Sequence, residues 1–316
     1  MLNRRHLRVK VMQTLYAYSL SEDKNIVSFE KNLLKSVEEV DEMYIWTLNL
    51  LDEVAEYVLI DVEGIANKWI PSDKDKNFTS TKLNNNTFID SLRQNREYLE
   101  KVKRYNVDWN YDPEIVRSIY AQLKDSEAYL EYLNLEDRSI AAEKDIIKYI
   151  FKKIILKSPD IEQALDERFI NWQVDKEVLQ AMIAKTFKNF NSEVPAKNKL
   201  ADLTPSWLED KDFIIDLLKM TVKYGEEYQD LIAAKTKNWE SDRIALIDNL
   251  LMRMAITELI NFPTIPVKVT INEYIELSKS FSTLKSSTFI NGILDKILAD
   301  LTSQRRIKKE GRGLIA

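Results

Sequence analysis

The sequence predicts an all-α protein, and three features of its composition and patterning support that prediction. Glycine and proline, the residues that interrupt helices, number only five and seven in 316 residues. Leu, Ile, Lys and Glu are abundant, and the strict alternation of apolar and polar residues that marks strands is scarce. Apolar side chains instead recur at intervals of three and four, as on one face of a helix. Since 45% of the residues are hydrophobic, the chain can bury the core of one large domain or two smaller ones.

Residue content excludes several classes of function. The chain has no cysteine and a single histidine, His6. Disulfides, thiolate metal sites and cysteine nucleophiles are therefore excluded, and a catalytic triad or multi-histidine metal site would depend on the extreme N-terminus. We therefore expect neither enzyme activity nor a cofactor that is built on these groups. No apolar run reaches the roughly 20 residues of a membrane span, and the N-terminus lacks the apolar segment of a secretory signal, so we expect a cytoplasmic protein that enters no membrane.

Charge is distributed unevenly along the chain. The net charge is −5, yet residues 1–10 hold four cationic side chains and no acidic one. The tail, residues 303–316, holds five cationic side chains against the single acid Glu310. We expect this basic tail to be disordered, and whether it binds an anionic partner such as RNA stays open.

The first predicted helix covers residues 3–20, where apolar side chains follow the helical spacing. Arg4, Arg5 and Arg8 lie in its first turns. Arginine at a helix start opposes the helix dipole, which favours acidic residues there. Another use for the three guanidinium groups is therefore indicated, and phosphate binding is one, because a guanidinium grips phosphate with two parallel hydrogen bonds. The alternative is a basic N-terminus without a role.

The next predicted element is one long helix or two within residues 28–70, ended by Pro71. Residues 71–87 are rich in Ser, Asn, Asp and Lys and predict a surface loop. Further helices are predicted between residues 88 and 190, with starts at Asp112-Pro113 and Ser158-Pro159. None of these segments has the residue spacing of a chemical site. A linker with two prolines is predicted at 194–205.

The C-terminal third predicts four more helical segments. One covers 206–238, a second starts at Ser241-Asp242, and two helices joined by a short polar turn fill 265–301. Thr270 and Glu273 have the spacing of a capping box. Gly292 lies inside the last helix, where glycine costs about 1 kcal/mol relative to alanine, so we expect it to let another helix approach closely.

Four segments carry a recognisable order of polar and apolar residues, most densely in 265–301. They read Arg4-Arg5-x-x-Arg8 with Gln13-x-Leu15-Tyr16; Leu250-Leu251-x-Arg253-x-Ala255-x-x-Glu258-Leu259; Pro266-x-Lys268-Val269-x-Ile271-Asn272-Glu273-x-Ile275-Glu276-Leu277-x-Lys279-x-Phe281; and Phe289-x-Asn291-Gly292-x-Leu294-Asp295-Lys296. This order resembles the NusB family of bacterial transcription antitermination factors over about 3–20 and 206–301.

The resemblance implies a NusB-like helical bundle with an additional helical insertion or extension, because family chains are much shorter. Residues 1–25 would form the RNA-binding helix and 206–302 the rest of the bundle, while 26–205 would be the insertion, of unknown role. The family has no catalytic activity. Its members bind boxA RNA, a short single-stranded element of rRNA operons, together with the small-subunit ribosomal protein NusE, within the RNA polymerase antitermination complex.

Carried over residue by residue, the resemblance implies two sets of site residues. Cationic groups would contact phosphates and aromatic rings would stack on bases, as proteins hold single-stranded RNA. A second set would hold the motif together by hydrogen bonds. The predicted RNA-binding residues are Arg4, Arg5, His6, Arg8, Tyr16, Phe281, Lys285 and Phe289, and the motif residues are Asn272, Glu273, Asn291, Gly292, Asp295 and Lys296.

Three alternatives to this site and function stay open. The turn at 282–285 lacks the acidic residues and glycine common in the family, and both phenylalanines can instead be core residues. The chain can also be a helical protein–protein adaptor in which the insertion binds the partner. A NusB-like module associated with an rRNA methyltransferase is the third reading, but the absence of cysteine removes that enzyme's nucleophile.

Overall fold

The regular structure of this protein is helical, as the computed structural model shows for residues 1–192, 194–236, 244–283 and 285–314. The all-α prediction is therefore confirmed for the described residues. None of the described helices combines the length and the apolar character that a membrane-crossing helix needs.

The described residues form a series of α-helices. In chain order they are α1 (Arg4–Leu20), α2 (Ile26–Ala66), α3 (Asp73–Lys76), α4 (Thr87–Arg93), α5 (Arg96–Arg104), α6 (Pro113–Lys124), α7 (Glu127–Asn134), α8 (Ile140–Tyr149), α9 (Pro159–Arg168), α10 (Trp172–Asn189), α11 (Trp207–Lys223), α12 (Gly225–Lys235), α13 (Leu246–Asn261), α14 (Val267–Phe281) and α15 (Ser286–Ser303).

Two compact units divide the chain. The middle unit is Glu38–Leu203, and the terminal unit combines Leu2–Val37 with Thr204–Ala316. The sequence predicted the extra segment from residue 26, but the middle unit begins inside α2, because this long helix supplies its first residues to one unit and the others to the next. The assignment of residues 26–205 as an insertion or extension of the family's bundle stays a prediction.

Helix α13 lies at the centre of the terminal unit. Every residue from Leu250 to Leu259 except Arg253 is buried, and α13 packs against α1, α11, α12, α14 and α15. A helix that is buried on all faces must satisfy its polar side chains inside the unit. This requirement explains why Glu258 of α13 has partners on neighbouring helices, described below.

Two local predictions in the terminal unit were wrong. The single helix expected over 206–238 is α11 followed by α12, since the chain turns at Tyr224. Thr270 is not a helix cap, because α14 already begins at Val267 and the Thr270 hydroxyl donates a hydrogen bond to Glu258. The predicted helix start at Ser241-Asp242 lies outside the described residues.

The basic tail is ordered as far as Leu314, so the predicted disorder is wrong for the described residues. The backbone N–H of Glu310 donates to the carbonyl of Pro263 at 3.0 Å, and Lys309 Nζ donates to the carbonyl of Phe262 at 2.9 Å. Gly313 lies so close to Pro263 that a Cβ would come within 1.9 Å of its carbonyl oxygen. The tail therefore uses its lysine to hold the C-terminal carbonyls of α13, a stabilising arrangement for a cation.

The middle unit has a core of its own. Helix α2 contributes Tyr44, Leu48 and Leu51 to it, all fully buried. The Tyr44 hydroxyl pairs with Thr186 of α10 and accepts a hydrogen bond from the backbone N–H of Ala201 at 3.1 Å. Helix α2 is thereby joined to α10 and to the segment that leads out of the unit.

Candidate nucleic-acid interface

The start of α1 is fixed by reciprocal capping. The side-chain oxygen of Asn3 accepts hydrogen bonds from the backbone N–H groups of Arg5 and His6 at 2.9 and 3.1 Å. His6 Nδ1 in turn accepts one from the backbone N–H of Asn3 at 3.2 Å. Both interactions satisfy donors that a helix start leaves unpaired. His6, predicted to contact RNA, thus has a structural use at the helix start.

Arg8 is an internal residue. Only 2% of it is exposed, and its guanidinium donates two hydrogen bonds of 2.8 Å to the fully buried carboxylate of Glu258. The same carboxylate accepts from the hydroxyls of Thr270 at 2.8 Å and Tyr274 at 3.2 Å. Four donors surround one buried charge, as burial of a carboxylate requires. The prediction that Arg8 contacts RNA is corrected, because its donors face inward.

Electrostatics keep the guanidinium of Arg8 charged. Burial, the largest influence, acts to lower the pKa of Arg8, but the charge of Glu258 and the hydrogen bonds to it outweigh burial and raise that pKa. Burial, followed by the charge of Glu258, raises the pKa of Tyr274 far above its usual range. Tyr274 consequently stays protonated and remains a donor to Glu258.

Arg5 makes a similar pair at the surface. Its Nε and Nη2 donate to the two carboxylate oxygens of Glu273 on α14, both at 2.8 Å. The Arg5 side chain is 47% exposed. Hydrogen bonds from Arg5 are the main reason that the pKa of Glu273 is lowered. Because the pair uses Nε and Nη2, Nη1 of Arg5 can still donate to a phosphate.

Arg4 lies beside Phe213 of α11, a residue that was not among the predicted site residues. Its Nε is 3.4 Å from Asp210 of α11, and its guanidinium carbon is 4.8 Å from the ring centre of Phe213. Trp207, one helical turn before Asp210, is 40% exposed. In the sequence, Trp207 directly follows Pro205-Ser206, which marks a helix start. This position was the signal that could have indicated an exposed tryptophan.

The polar turn between α14 and α15 presents the other predicted residues. Phe281 and Phe289 are half-buried, and Lys285 is exposed. The end of the turn is attached to α13, because the Ser286 hydroxyl donates a hydrogen bond to Asp248 at 2.7 Å. The two phenylalanines are therefore neither fully buried core residues nor fully exposed rings.

Helix α13 contacts both the arginine-bearing helix α1 and the turn between α14 and α15. Glu258 holds Arg8, and Asp248 holds Ser286. These two carboxylates are ten residues apart in one helix, which corresponds to roughly 15 Å at 1.5 Å per residue. No hydrogen bond or ion pair links the arginines directly to the turn in the described part of the chain. Tyr16, 40% exposed, lies about three turns beyond Arg5 on α1.

Among the motif residues, Glu273 pairs with a residue of another helix, and most of the others lie at the surface. Glu273 alone pairs with a different helix, whereas Asn291 donates to Asp295 within α15 at 3.2 Å. The expected close approach at Gly292 is wrong, because a Cβ there would meet no atom within 4 Å. The residues of the motif that are exposed are Asn272, Gly292, Asp295 and Lys296.

The terminal unit is therefore an all-helical module whose surface carries paired arginines, an exposed lysine and partly exposed aromatic rings. Groups of three or more side chains that could hold a metal ion are absent from the described residues. The arrangement is suited to holding a polyanion with unpaired bases, through guanidinium contacts and ring stacking.

Comparison with known proteins gives the family. Residues 177–299 match the sequence profile of the NusB family, a match that extends ahead of the resemblance noted from residue 206. A transcription antitermination protein NusB of Salinibacter ruber is 42% identical over 154 residues, which are 49% of this chain and 88% of the relative. One of Chloroherpeton thalassium is 35% identical over 143 residues, 45% of this chain and 68% of the relative. No solved structure matches the chain. The chain belongs to the NusB family, as a long form.

Proposed function

We propose that this protein is an RNA-binding transcription antitermination factor. It binds boxA-like single-stranded RNA of rRNA operons together with NusE, as part of the RNA polymerase antitermination complex, without catalysis or a cofactor and in the cytoplasm. Family membership supports this proposal, since the relatives carry the name transcription antitermination protein. The observation that carries it is the surface at the start of α1, where Arg4 and Arg5 are half-exposed and Arg4 lies over the ring of Phe213.

Two kinds of side chain contact the RNA in this proposal, cationic groups and aromatic rings. Arg4, Arg5 and Lys285 supply charge for phosphates, while the rings of Phe281 and Phe289 supply faces for bases. Arg8 contributes indirectly, because its pair with Glu258 fixes α1 to α13.

The carboxylates beside the arginines have a consequence for binding. Asp210 and Glu273 hold Arg4 and Arg5 in place before RNA arrives, so less side-chain freedom is lost on binding. The same carboxylates repel phosphate, which favours approach from the sides of the guanidinium groups that they leave open. Trp207, one helical turn before the Asp210 that pairs with Arg4, is 40% exposed and offers a further ring for a base.

The experiment measures fluorescence anisotropy of a labelled rRNA-leader RNA, with and without the NusE homologue. We expect the double variant Arg4→Ala, Arg5→Ala to bind at least about tenfold more weakly, since each charge-assisted contact contributes about 1.5–3 kcal/mol. Trp207→Ala should weaken binding by a smaller factor with an unchanged salt dependence, because stacking carries no charge.

The matched control is Lys219→Ala with Lys223→Ala, two exposed lysines of α11, which should leave affinity within about twofold. Unchanged binding by the arginine variant would overturn the site. Failure of the unaltered protein to bind the RNA, even with the NusE homologue, would overturn the function and favour the adaptor reading, in which the middle unit binds a protein partner.

A further inference from the structure

The middle unit contains a groove that the proposed function does not use. It runs past the short turn Trp109–Tyr111, the start of α6 and one face of α9, and consists of two cavities of about 360 and 410 Å³. The cavities adjoin, because Asp112, Ala164 and Glu167 line both of them. Together they have the size of a site for a short extended segment rather than a single ion.

The charge of this acidic groove is one-sided. Five carboxylates line it against the single guanidinium of Arg168. Asp108 and Glu167 accept hydrogen bonds from neighbouring amides, and Glu114 is 3.5 Å from Arg117. Asp112 and Asp160 make no side-chain hydrogen bond or ion pair within the part of the chain that the structure describes. Like charges this close repel one another, and a cation bound between them relieves the repulsion. The lining carboxylates are Asp108, Asp112, Glu114, Asp160 and Glu167.

The aromatic wall of the groove already accepts a guanidinium. The Arg168 guanidinium carbon lies 3.6 Å from the ring centre of Trp46, whose ring packs edge-on against Trp109 at 5.1 Å. Tyr111, at the rim, is 87% exposed. Tryptophan and tyrosine faces attract ammonium and guanidinium groups through their electron-rich surfaces. The aromatic wall thus favours a positively charged ligand, as the carboxylates do.

One buried donor in the wall lacks an acceptor. Trp46 is 4% exposed, and its indole N–H finds no hydrogen-bond partner among the described residues. A buried N–H without an acceptor is costly and uncommon in proteins. A polypeptide offers carbonyl oxygens that can satisfy this donor after a small movement of Arg168.

We propose that the acidic groove binds a lysine- or arginine-rich segment of a partner protein. The cationic side chains of such a segment pair with the carboxylates and pack on the exposed ring of Tyr111, while a backbone carbonyl reaches the Trp46 N–H. RNA is a poor occupant, because its phosphates meet five carboxylates. A small polyamine matches the charge but has no carbonyl for the indole donor. This surface is independent of the RNA interface and holds even if the proposed function fails.

The test titrates the full-length protein into a fluorescein-labelled Lys-Gly repeat peptide and follows anisotropy. The triple variant Asp112→Asn, Asp160→Asn, Glu167→Gln should bind about tenfold more weakly, since three surface charge pairs are lost. The matched control neutralises three exposed acids outside the groove, Glu127→Gln, Glu131→Gln and Glu136→Gln, and should bind as the unaltered protein does. Equal weakening by both variants would mean attraction by overall charge and would overturn the proposal.

A second pair of variants tests the aromatic wall without changing charge. Trp46→Phe keeps a ring and removes the N–H. It should weaken peptide binding severalfold, while its melting temperature matches that of the control variant. The control is Trp172→Phe, a tryptophan equally buried but outside the groove. If Trp46→Phe binds the peptide normally, or if spermidine displaces the peptide at equal charge concentration, the groove is not a peptide site.

Discussion

Arg5 and Arg8 are three residues apart on α1 and make geometrically similar pairs, yet they differ in what surrounds them. Each donates two hydrogen bonds of 2.8 Å to one carboxylate. The Arg5 side chain is 47% exposed and that of Arg8 only 3%. A pair in water contributes little to stability because water competes for both charges, whereas a buried pair cannot lose one member without stranding the other. One arginine is therefore available for a ligand, and the other stabilises the fold.

Removing the inner arginine should have the largest effect. In Arg8→Ala the carboxylate of Glu258 stays buried without its charge partner, and we expect the free energy of unfolding to fall by about 3–5 kcal/mol. Urea unfolding followed by circular dichroism measures it. A loss no greater than that of Arg5→Ala would show that the two pairs are energetically alike and would remove the distinction.

Removing the outer arginine should separate stability from binding. For Arg5→Ala we expect the unfolding free energy to fall by less than about 1 kcal/mol. The slope of log affinity for single-stranded RNA against log salt should become shallower by about 0.7, since one phosphate contact is lost. Anisotropy titrations at several salt concentrations give the slope. An unaltered slope would mean that Arg5 binds Glu273 only.

Acid should weaken the outer pair. Arg5 holds the pKa of Glu273 below its ordinary value of 4.5, so the folded carboxylate binds a proton less readily than the unfolded one. The contribution of the pair is present above the ordinary pKa and is lost as pH falls through the lowered one. We expect Glu273→Gln to flatten the fall in stability between about pH 6 and pH 3, by less than about 1 kcal/mol because the pair is solvated. Denaturant midpoints across this range check the prediction, and Glu226→Gln, which removes an exposed acid of α12, is the control.

The smallest effect concerns an outward member of the same motif. Gly292 is exposed inside α15 and has open space where a Cβ would lie. We expect Gly292→Ala to raise stability by about 0.5–1 kcal/mol through the helix preference of alanine. Thermal unfolding measures the gain. A loss of stability would show that the glycine is needed inside the fold after all.

Several features were predictable because they depend on local chemistry. The scarcity of glycine and proline and the helical periodicity gave the all-α class, and Ser158-Pro159 marked the start of α9, where the serine hydroxyl caps Ile161 at 3.4 Å. The order of residues around Glu273 and Gly292 gave the family. Each of these signals lies within a few residues of chain, which is the range over which helix propensity and capping act.

Other features depend on residues that are distant in the chain. Nothing local distinguishes Arg8 from Arg5, since both are arginines near a helix start. Thr270 looked like a cap and instead serves a carboxylate twelve positions away. The tail looked disordered from its charge, but Gly313 allows a close approach to Pro263. The acidic groove joins aromatic and acidic residues from three separate segments, so no sequence motif announces it.

The sequence by itself determined that this chain is helical, belongs to a known family and carries arginines, aromatic residues and a basic tail. Tertiary structure decided which of these groups water can reach. Exposure is a property of packing between distant segments, and it sets the energy of each charge, because a guanidinium in water is free to exchange partners while one in the core is not.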